Sequence, residues 1–79
     1  MTNTELLEQL IRESGLKMSY IAERLGISRQ ALHKKIKGIV HFNAPEIKIM
    51  CELLGLKTWA QIKAVFFAAK VSKNDYKAG

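Results

Sequence analysis

Apolar residues along this chain recur three or four positions apart, which is the spacing of one face of an α-helix. Five segments show this spacing, and no segment alternates apolar and polar residues as a half-buried strand would. We therefore predict an all-α fold. The helices are expected over 3–14, over 18–25, between the cap Ser28 and Gly38, between the cap Asn43 and Gly55, and after the cap Thr58.

Residues typical of helix ends separate these segments. Three segments begin with the spacing of a capping box, in which a side chain and a backbone N–H exchange hydrogen bonds across three residues. The boxes are Thr2 with Glu5, Asn43 with Glu46, and Thr58 with Gln61. Gly15 and Gly55 stand where the first and fourth helices should stop. These ends support the helical assignment independently of the apolar spacing.

The central stretch, residues 21–38, reads IAERLGISRQALHKKIKG and contains two short helices with a tight turn between them. Gly26 supplies a left-handed backbone for the turn, Ile27 is expected to pack into the core from within the turn, and Ser28 can cap the next helix. Ala22 is small enough to allow close approach where the two helices cross. Together with Leu32, these residues have the separations of a helix-turn-helix.

The second of these helices has a polar side as well as an apolar one. Its hydrogen-bond donors recur at helical spacing and are Arg29, Gln30, His33, Lys34 and Lys37. An arginine can donate two hydrogen bonds to guanine, and a glutamine can pair with adenine, in the major groove of DNA. The lysines suit phosphates, although plain exposure to solvent remains the alternative for each of them.

Composition indicates one small domain. The chain has 79 residues, of which 48% are hydrophobic, so a disordered chain is excluded. The single cysteine, Cys51, excludes a disulfide framework and a cysteine-based zinc module. We expect residues 1–69 to form the helix-turn-helix domain and residues 70–79 to be a flexible tail. No apolar run approaches the roughly 20 residues that span a bilayer, and no signal peptide is recognisable, so we expect a cytoplasmic protein.

The net charge of +6 is unevenly distributed. Residues 17–38 hold six Lys and Arg residues against the single acid Glu23, and residues 57–79 hold five lysines against Asp75. A basic surface is the electrostatic signature of nucleic-acid binding. A basic face that is merely solvated is the alternative. The excess over the helix-turn-helix favours double-stranded DNA as the partner.

Five short helices, with GISRQALHKKIKG followed by APEIKIMCELLGL, resemble the Cro and lambda-repressor (XRE-type) helix-turn-helix family, in particular small phage Cro-like regulators. The resemblance implies a compact five-helix lambda-repressor-like fold whose third helix enters the major groove. It implies a base-facing set comprising Ser28, Arg29, Gln30, His33 and Lys34. Side-chain chemistry adds an expected phosphate-contacting set comprising Lys17, Ser19, Tyr20, Lys35 and Lys37. We expect no metal and no cofactor.

The chain departs from the family pattern at two positions. Many members begin the second helix with a glutamine that contacts a phosphate, and this chain has Met18 there. Ser19 or Tyr20 would then take the phosphate role. Many members also have an apolar residue at the position of Lys35, so Ile36 must carry the packing while Lys35 reaches sideways to the DNA backbone.

Two functions follow from these residues. The first is a sequence-specific transcriptional repressor of the Cro type, which would act in the host bacterial cytoplasm if phage-encoded. The second is an antirepressor or modulator that binds a partner repressor in a lysogeny switch. Cys51 is interpreted as a core residue and not as a nucleophile, and we expect no enzymatic activity.

Aromatic residues near the C-terminus also have two interpretations. Trp59, Phe66 and Phe67 close the core in the first interpretation. In the second, the outer side of the fifth helix forms a homodimer contact through Phe67 and Val71.

Overall fold

Five helices form in the order that the apolar spacing predicts. The computed structural model describes residues 2–68 and contains α1 (Thr4–Ser14), α2 (Met18–Leu25), α3 (Arg29–Ile36), α4 (Ala44–Leu54) and α5 (Trp59–Phe66). No strand is present within 2–68, so the all-α prediction is confirmed. The predicted domain boundary at 69/70, the tail 70–79 and Val71 lie outside the described residues.

The start of α1 differs from the prediction. Asn3, and not Thr2, is the N-cap, because the Asn3 side chain accepts a hydrogen bond from the Leu6 N–H at 3.1 Å. The Asn3 N–H donates to the carbonyl oxygen of Val65 at 2.7 Å, which ties the beginning of α1 to α5. This long-range bond fixes the backbone at Asn3, and the predicted box of Thr2 with Glu5 is wrong.

The other predicted caps are confirmed. Asn43 and Glu46 form a reciprocal capping box at the start of α4, and Thr58 and Gln61 form one at the start of α5. Gly55 ends α4 with φ of 72°, a left-handed conformation that favours glycine. These caps satisfy N–H and carbonyl groups that a helix leaves without partners at its ends.

The core draws on every helix and on the α3–α4 connection. Its buried members are Leu7, Ile11, Ile21, Ala22, Leu32, Ile36, Phe42, Met50, Cys51, Val65 and Phe66. Helix α2 packs against both α3 and α4, and its small residue Ala22 is only 3% exposed. The phenyl rings of Phe42 and Phe66 meet edge to face with centroids 5.5 Å apart.

Candidate nucleic-acid interface

The turn between α2 and α3 consists of three residues. Gly26 adopts φ of 72°, and its N–H donates to the carbonyl oxygen of Glu23 at 3.1 Å. The Ile27 N–H donates to the Ala22 carbonyl oxygen at 3.0 Å, while the Ile27 side chain packs against the core. The Ser28 hydroxyl accepts from the Ala31 N–H at 3.0 Å and so starts α3. All three roles predicted for the turn are confirmed.

Helix α3 has one buried side and one exposed polar side. Leu32 is completely buried and Ile36 is 3% exposed, so these two residues fix the rotation of the helix about its axis. The opposite side is exposed and carries Arg29, Gln30, His33, Lys34 and Lys37. The structure therefore brings five of the predicted DNA-contacting residues together on one surface, which we call the α3 polar face. Ser28 adjoins it as the N-cap.

The α3 polar face consists almost entirely of hydrogen-bond donors. Arg29 and Gln30 lie in the first turn, where a helix entering the major groove end-on presents its side chains to base edges. His33 lies one turn further, and Lys34 and Lys37 add positive charge towards the end of α3 and beyond it. Every charged side chain of this face is basic. Such a surface suits an anionic, acceptor-rich ligand.

Helix α2 begins next to this face without a side-chain cap. Lys17 is the N-cap residue, and its side chain makes no capping hydrogen bond. Lys17, Ser19 and Tyr20 are all exposed around this end, as the phosphate prediction requires of them. The Tyr20 hydroxyl accepts a hydrogen bond from Arg24 at 3.1 Å, and the guanidinium lies 6.0 Å from the ring centroid. The pairing places the Arg24 charge beside Tyr20.

Met18 replaces a polar helix start with apolar packing. Its half-buried side chain packs against the core and lines a shallow groove together with Ile11, His33 and Ile36. The groove is bordered by α1, by the start of α2 and by α3. A methionine here can support α3 through van der Waals contact, whereas its thioether is at most a weak hydrogen-bond acceptor and donates nothing to a phosphate.

Lys35 does not fit its predicted role. Its ammonium group points inward and lies 2.6 Å from Oε1 of Glu46, and the Lys35 side chain is 13% exposed. The prediction that it reaches sideways to a phosphate overlooked this acid, which becomes a neighbour only when α4 packs beside α3. We therefore remove Lys35 from the phosphate set. Lys37 remains in that set, and its ammonium group lies 3.1 Å from Glu8 at an exposed position.

The sequence placed Glu46 in the cap of α4, but its burial and its ion pair with Lys35 were missed. Glu46 is 6% exposed, and it is the buried charged residue of the described chain. Burial alone raises the pKa of its carboxyl group, but hydrogen bonds from Lys35 and from the Asn43 N–H outweigh burial and hold the pKa below its ordinary value. A lysine at an apolar position of α3 was the available signal for a buried acid partner.

Cys51 belongs to the core, as predicted. It is 8% exposed, and burial, followed by the charge of Glu52, raises the pKa of its thiol. A raised pKa disfavours the thiolate, which is the nucleophilic form of cysteine. Within residues 2–68, no group of three or more His, Cys, Asp or Glu side chains is arranged to hold a metal ion. No helix in the same range is long and apolar enough to cross a membrane.

The C-terminal aromatic residues divide between the two interpretations. Phe66 is buried in the core, whereas Trp59 and Phe67 are 62% and 44% exposed. The rings of these two exposed residues lie against each other with centroids 5.6 Å apart. Core closure is therefore confirmed for Phe66 alone.

Comparison with known proteins gives a family. A family model described as an HTH domain matches residues 3–45, which is more than half of the chain and contains α1, α2 and α3. Searches of curated proteins and of solved structures found no match. The matched range covers the three-residue turn, the α3 polar face and the start of α2. The chain thus belongs to the helix-turn-helix family of DNA-binding domains.

Proposed function

We propose that this protein is a sequence-specific transcriptional regulator, a phage Cro-like repressor, that inserts α3 into the major groove of double-stranded DNA. The observation that carries the proposal is the α3 polar face, where Leu32 and Ile36 anchor the helix and leave its donors exposed. In this arrangement, occupation of a promoter by the bound domain blocks transcription. Repression requires no further chemistry from the chain.

The contacts divide into two groups. The residues that face base edges are Ser28, Arg29, Gln30, His33 and Lys34. The residues that contact phosphates are Lys17, Ser19, Tyr20 and Lys37. Phosphate contacts position the protein and depend on salt, whereas contacts to base edges discriminate among sequences. The uncapped start of α2 supports the assignment of these residues to phosphates. The first N–H groups of a helix have no intrahelical partners and can donate to an anion.

A homodimer is part of this proposal. The exposed ring of Phe67, with Val71 further along the chain, forms the contact between two copies about a two-fold axis. Two recognition helices would then lie about 34 Å apart, one turn of DNA, and the operator would be palindromic. The support is that Phe67 and Trp59 form an apolar surface on the outside of α5.

A second candidate is an antirepressor or modulator that binds a partner repressor through the same surface. The observation that favours it is Met18, whose apolar side chain gives no hydrogen bond to a phosphate at the start of α2. Weakened contact with DNA would leave the surface free for a protein. The α3 polar face would then bind acidic groups of the partner in place of phosphates.

One assay separates the two candidates. The full chain is mixed with the intergenic DNA beside its gene, with and without the repressor encoded next to it, and mobility shifts are recorded. A shift by this chain alone supports the repressor. A shift only in combination, or loss of the partner's own shift, supports the modulator. Both candidates are contradicted if the chain neither shifts DNA alone, nor shifts it in combination, nor removes the partner's shift, on this DNA and on a randomised duplex pool.

A further inference from the structure

Lys35 and Glu46 join the last turn of α3 to the first turn of α4. The Lys35 ammonium group lies 2.6 Å from Oε1 of Glu46, and the two side chains are 13% and 8% exposed. They are eleven residues apart in sequence and belong to different helices. Both charges are thus largely removed from water, and each depends on the other for a counter-charge.

The same two side chains bind the backbone of the α3–α4 connection. Lys35 Nζ donates to the carbonyl oxygen of His41 at 3.3 Å, and Oε1 of Glu46 accepts from the Asn43 N–H at 2.9 Å. The Lys35 ammonium group also lies 6.0 Å from the ring centroid of Phe42, the buried residue between His41 and Asn43 in the chain. The second half of the connection is therefore held from both helices.

The first half of the connection is held by α3 itself. The N–H groups of Ile39 and Val40 both donate to the carbonyl oxygen of Lys34, at 2.9 and 3.3 Å. Lys34 and Lys37, two cations of the α3 polar face, stand on either side of Lys35 along this stretch. The C-terminal end of α3, where these two lysines lie, thus shares hydrogen bonds with the connection that the ion pair holds.

We propose that Lys35 and Glu46 are positioning residues for DNA binding. Their ion pair holds the α3–α4 connection in place and thereby orients the C-terminal part of the α3 polar face, without either residue contacting DNA. This inference rests on the proposed function. In this role the Lys35 charge pairs with an acid inside the protein and makes no contact with a phosphate.

Removing the negative charge of Glu46 tests the proposal, because simple electrostatics and loss of positioning predict opposite changes in DNA affinity. Glu46→Gln retains the size of the side chain and an acceptor for the Asn43 N–H, but it removes one negative charge. If charge alone mattered, binding to DNA would tighten. We expect binding to a duplex selected by the wild-type chain to weaken about fivefold or more, since the connection loses its anchor. Glu52→Gln, at an exposed position of the same helix, makes the same charge change and should not weaken binding.

Lys35→Met provides the second arm. It keeps most of the apolar stem but removes the ammonium group, and we expect a loss of affinity similar to that of Glu46→Gln. The dependence of affinity on salt should be unchanged, because no phosphate contact is lost. Lys37→Met, a phosphate-contacting control, should reduce the salt slope by about one. The double variant Lys35→Met/Glu46→Gln should bind about as well as either single variant.

Amide hydrogen exchange distinguishes positioning from general unfolding. Binding is measured where circular dichroism shows every variant to be folded. Under those conditions, exchange of the Val40 and Asn43 amides should accelerate in both single variants while exchange within α1 and α2 stays slow. Lys35→Arg keeps the positive charge, and we expect it to bind DNA more tightly than Lys35→Met.

Two results would overturn the proposal: Glu46→Gln binding DNA as tightly as the wild type or more tightly, or Lys35→Met lowering the salt slope as Lys37→Met does. Unchanged exchange at Val40 and Asn43 in both variants would overturn it as well. If the wild-type chain selects no duplex, the proposed function fails. Amide exchange then still decides separately whether the ion pair holds the connection.

Discussion

Arg29 is the first residue of α3, and its side chain is exposed on the α3 polar face. If it donates two hydrogen bonds to a guanine, Arg29→Ala should cost about 1–3 kcal/mol of binding free energy on a selected duplex. The preference for one base pair should relax at the same time. Titration of the variant against the selected duplex, and against duplexes changed at single positions, measures both effects.

Arg12→Ala is the matched control for this prediction. Arg12 is an exposed arginine in the last turn of α1, so the two variants lose the same side chain and the same charge. Only Arg29→Ala should change base preference. Equal losses for Arg29→Ala on selected and random duplexes would show that Arg29 contacts a phosphate and reads no base.

Glu46 should make stability depend on pH in the acid range. Its pKa is lowered in the folded protein, so the unfolded chain takes up a proton at a higher pH than the folded chain. The stabilisation is therefore complete above the ordinary carboxyl range, about pH 4 to 5, and is lost as pH falls through the lowered value. Denaturant unfolding between pH 3 and about pH 7 measures this loss.

Glu46→Gln isolates the contribution of this one carboxyl group. The variant should be less stable than the wild-type chain at neutral pH, and the difference should shrink as pH falls below about 4. Glu52→Gln, which makes the same charge change at an exposed position of α4, is the matched control. A difference between Glu46→Gln and the wild type that stays constant with pH would contradict the assigned direction of the shift.

At the scale of the element, the turn between α2 and α3 depends on one backbone conformation. Gly26 has φ of 72°, and a Cβ atom built there would meet no neighbour within 4 Å. The cost of a substitution is therefore conformational and not steric. Gly26→Ala should destabilise the protein by about 1 kcal/mol, measured by thermal or denaturant unfolding.

Gly26→Asn separates conformation from side-chain size. Asparagine tolerates the left-handed region better than alanine although it is larger. We therefore expect Gly26→Asn to cost less than Gly26→Ala. The reverse order would indicate that space and not backbone conformation limits this position.

Element positions were largely predictable because helix ends are set by neighbouring residues. The turn of Gly26, Ile27 and Ser28 and the capping box of Asn43 with Glu46 involve residues within five positions of one another. The start of α1 was mispredicted for the opposite reason. Thr2 and Asn3 are both good caps, and a bond between Asn3 and Val65, far apart in the chain, decides between them.

At the scale of the whole molecule, the proposed dimer gives the remaining prediction. Phe67→Ser removes an aromatic ring that is 44% exposed at the end of α5. If this ring lies between two copies, sedimentation equilibrium should show the apparent mass fall from that of two chains to that of one. Binding to a palindromic duplex should weaken in parallel, because two half-sites would no longer be bound together.

Tyr20→Ser is the matched control for oligomeric state. Tyr20 is 41% exposed, so the variant removes a comparable exposed ring from another surface. It should leave the mass unchanged. A wild-type chain that sediments as a monomer at all concentrations would contradict the dimer, and an unchanged mass in Phe67→Ser would place the contact elsewhere.

The sequence by itself determined the five helices, their caps apart from the first, the three-residue turn and which side of α3 is exposed. These depend on spacing along one helix and on short-range hydrogen bonds, and both can be read from neighbouring residues. Tertiary structure alone decided the partner of Lys35, the burial of Glu46 and the separation of Phe66 from Trp59 and Phe67. Each of these outcomes depends on which side chains meet when distant helices pack. Apart from Lys35, which a helix that the local pattern could not place holds through Glu46, the residues predicted to contact DNA are exposed. Their contact with DNA stays a prediction.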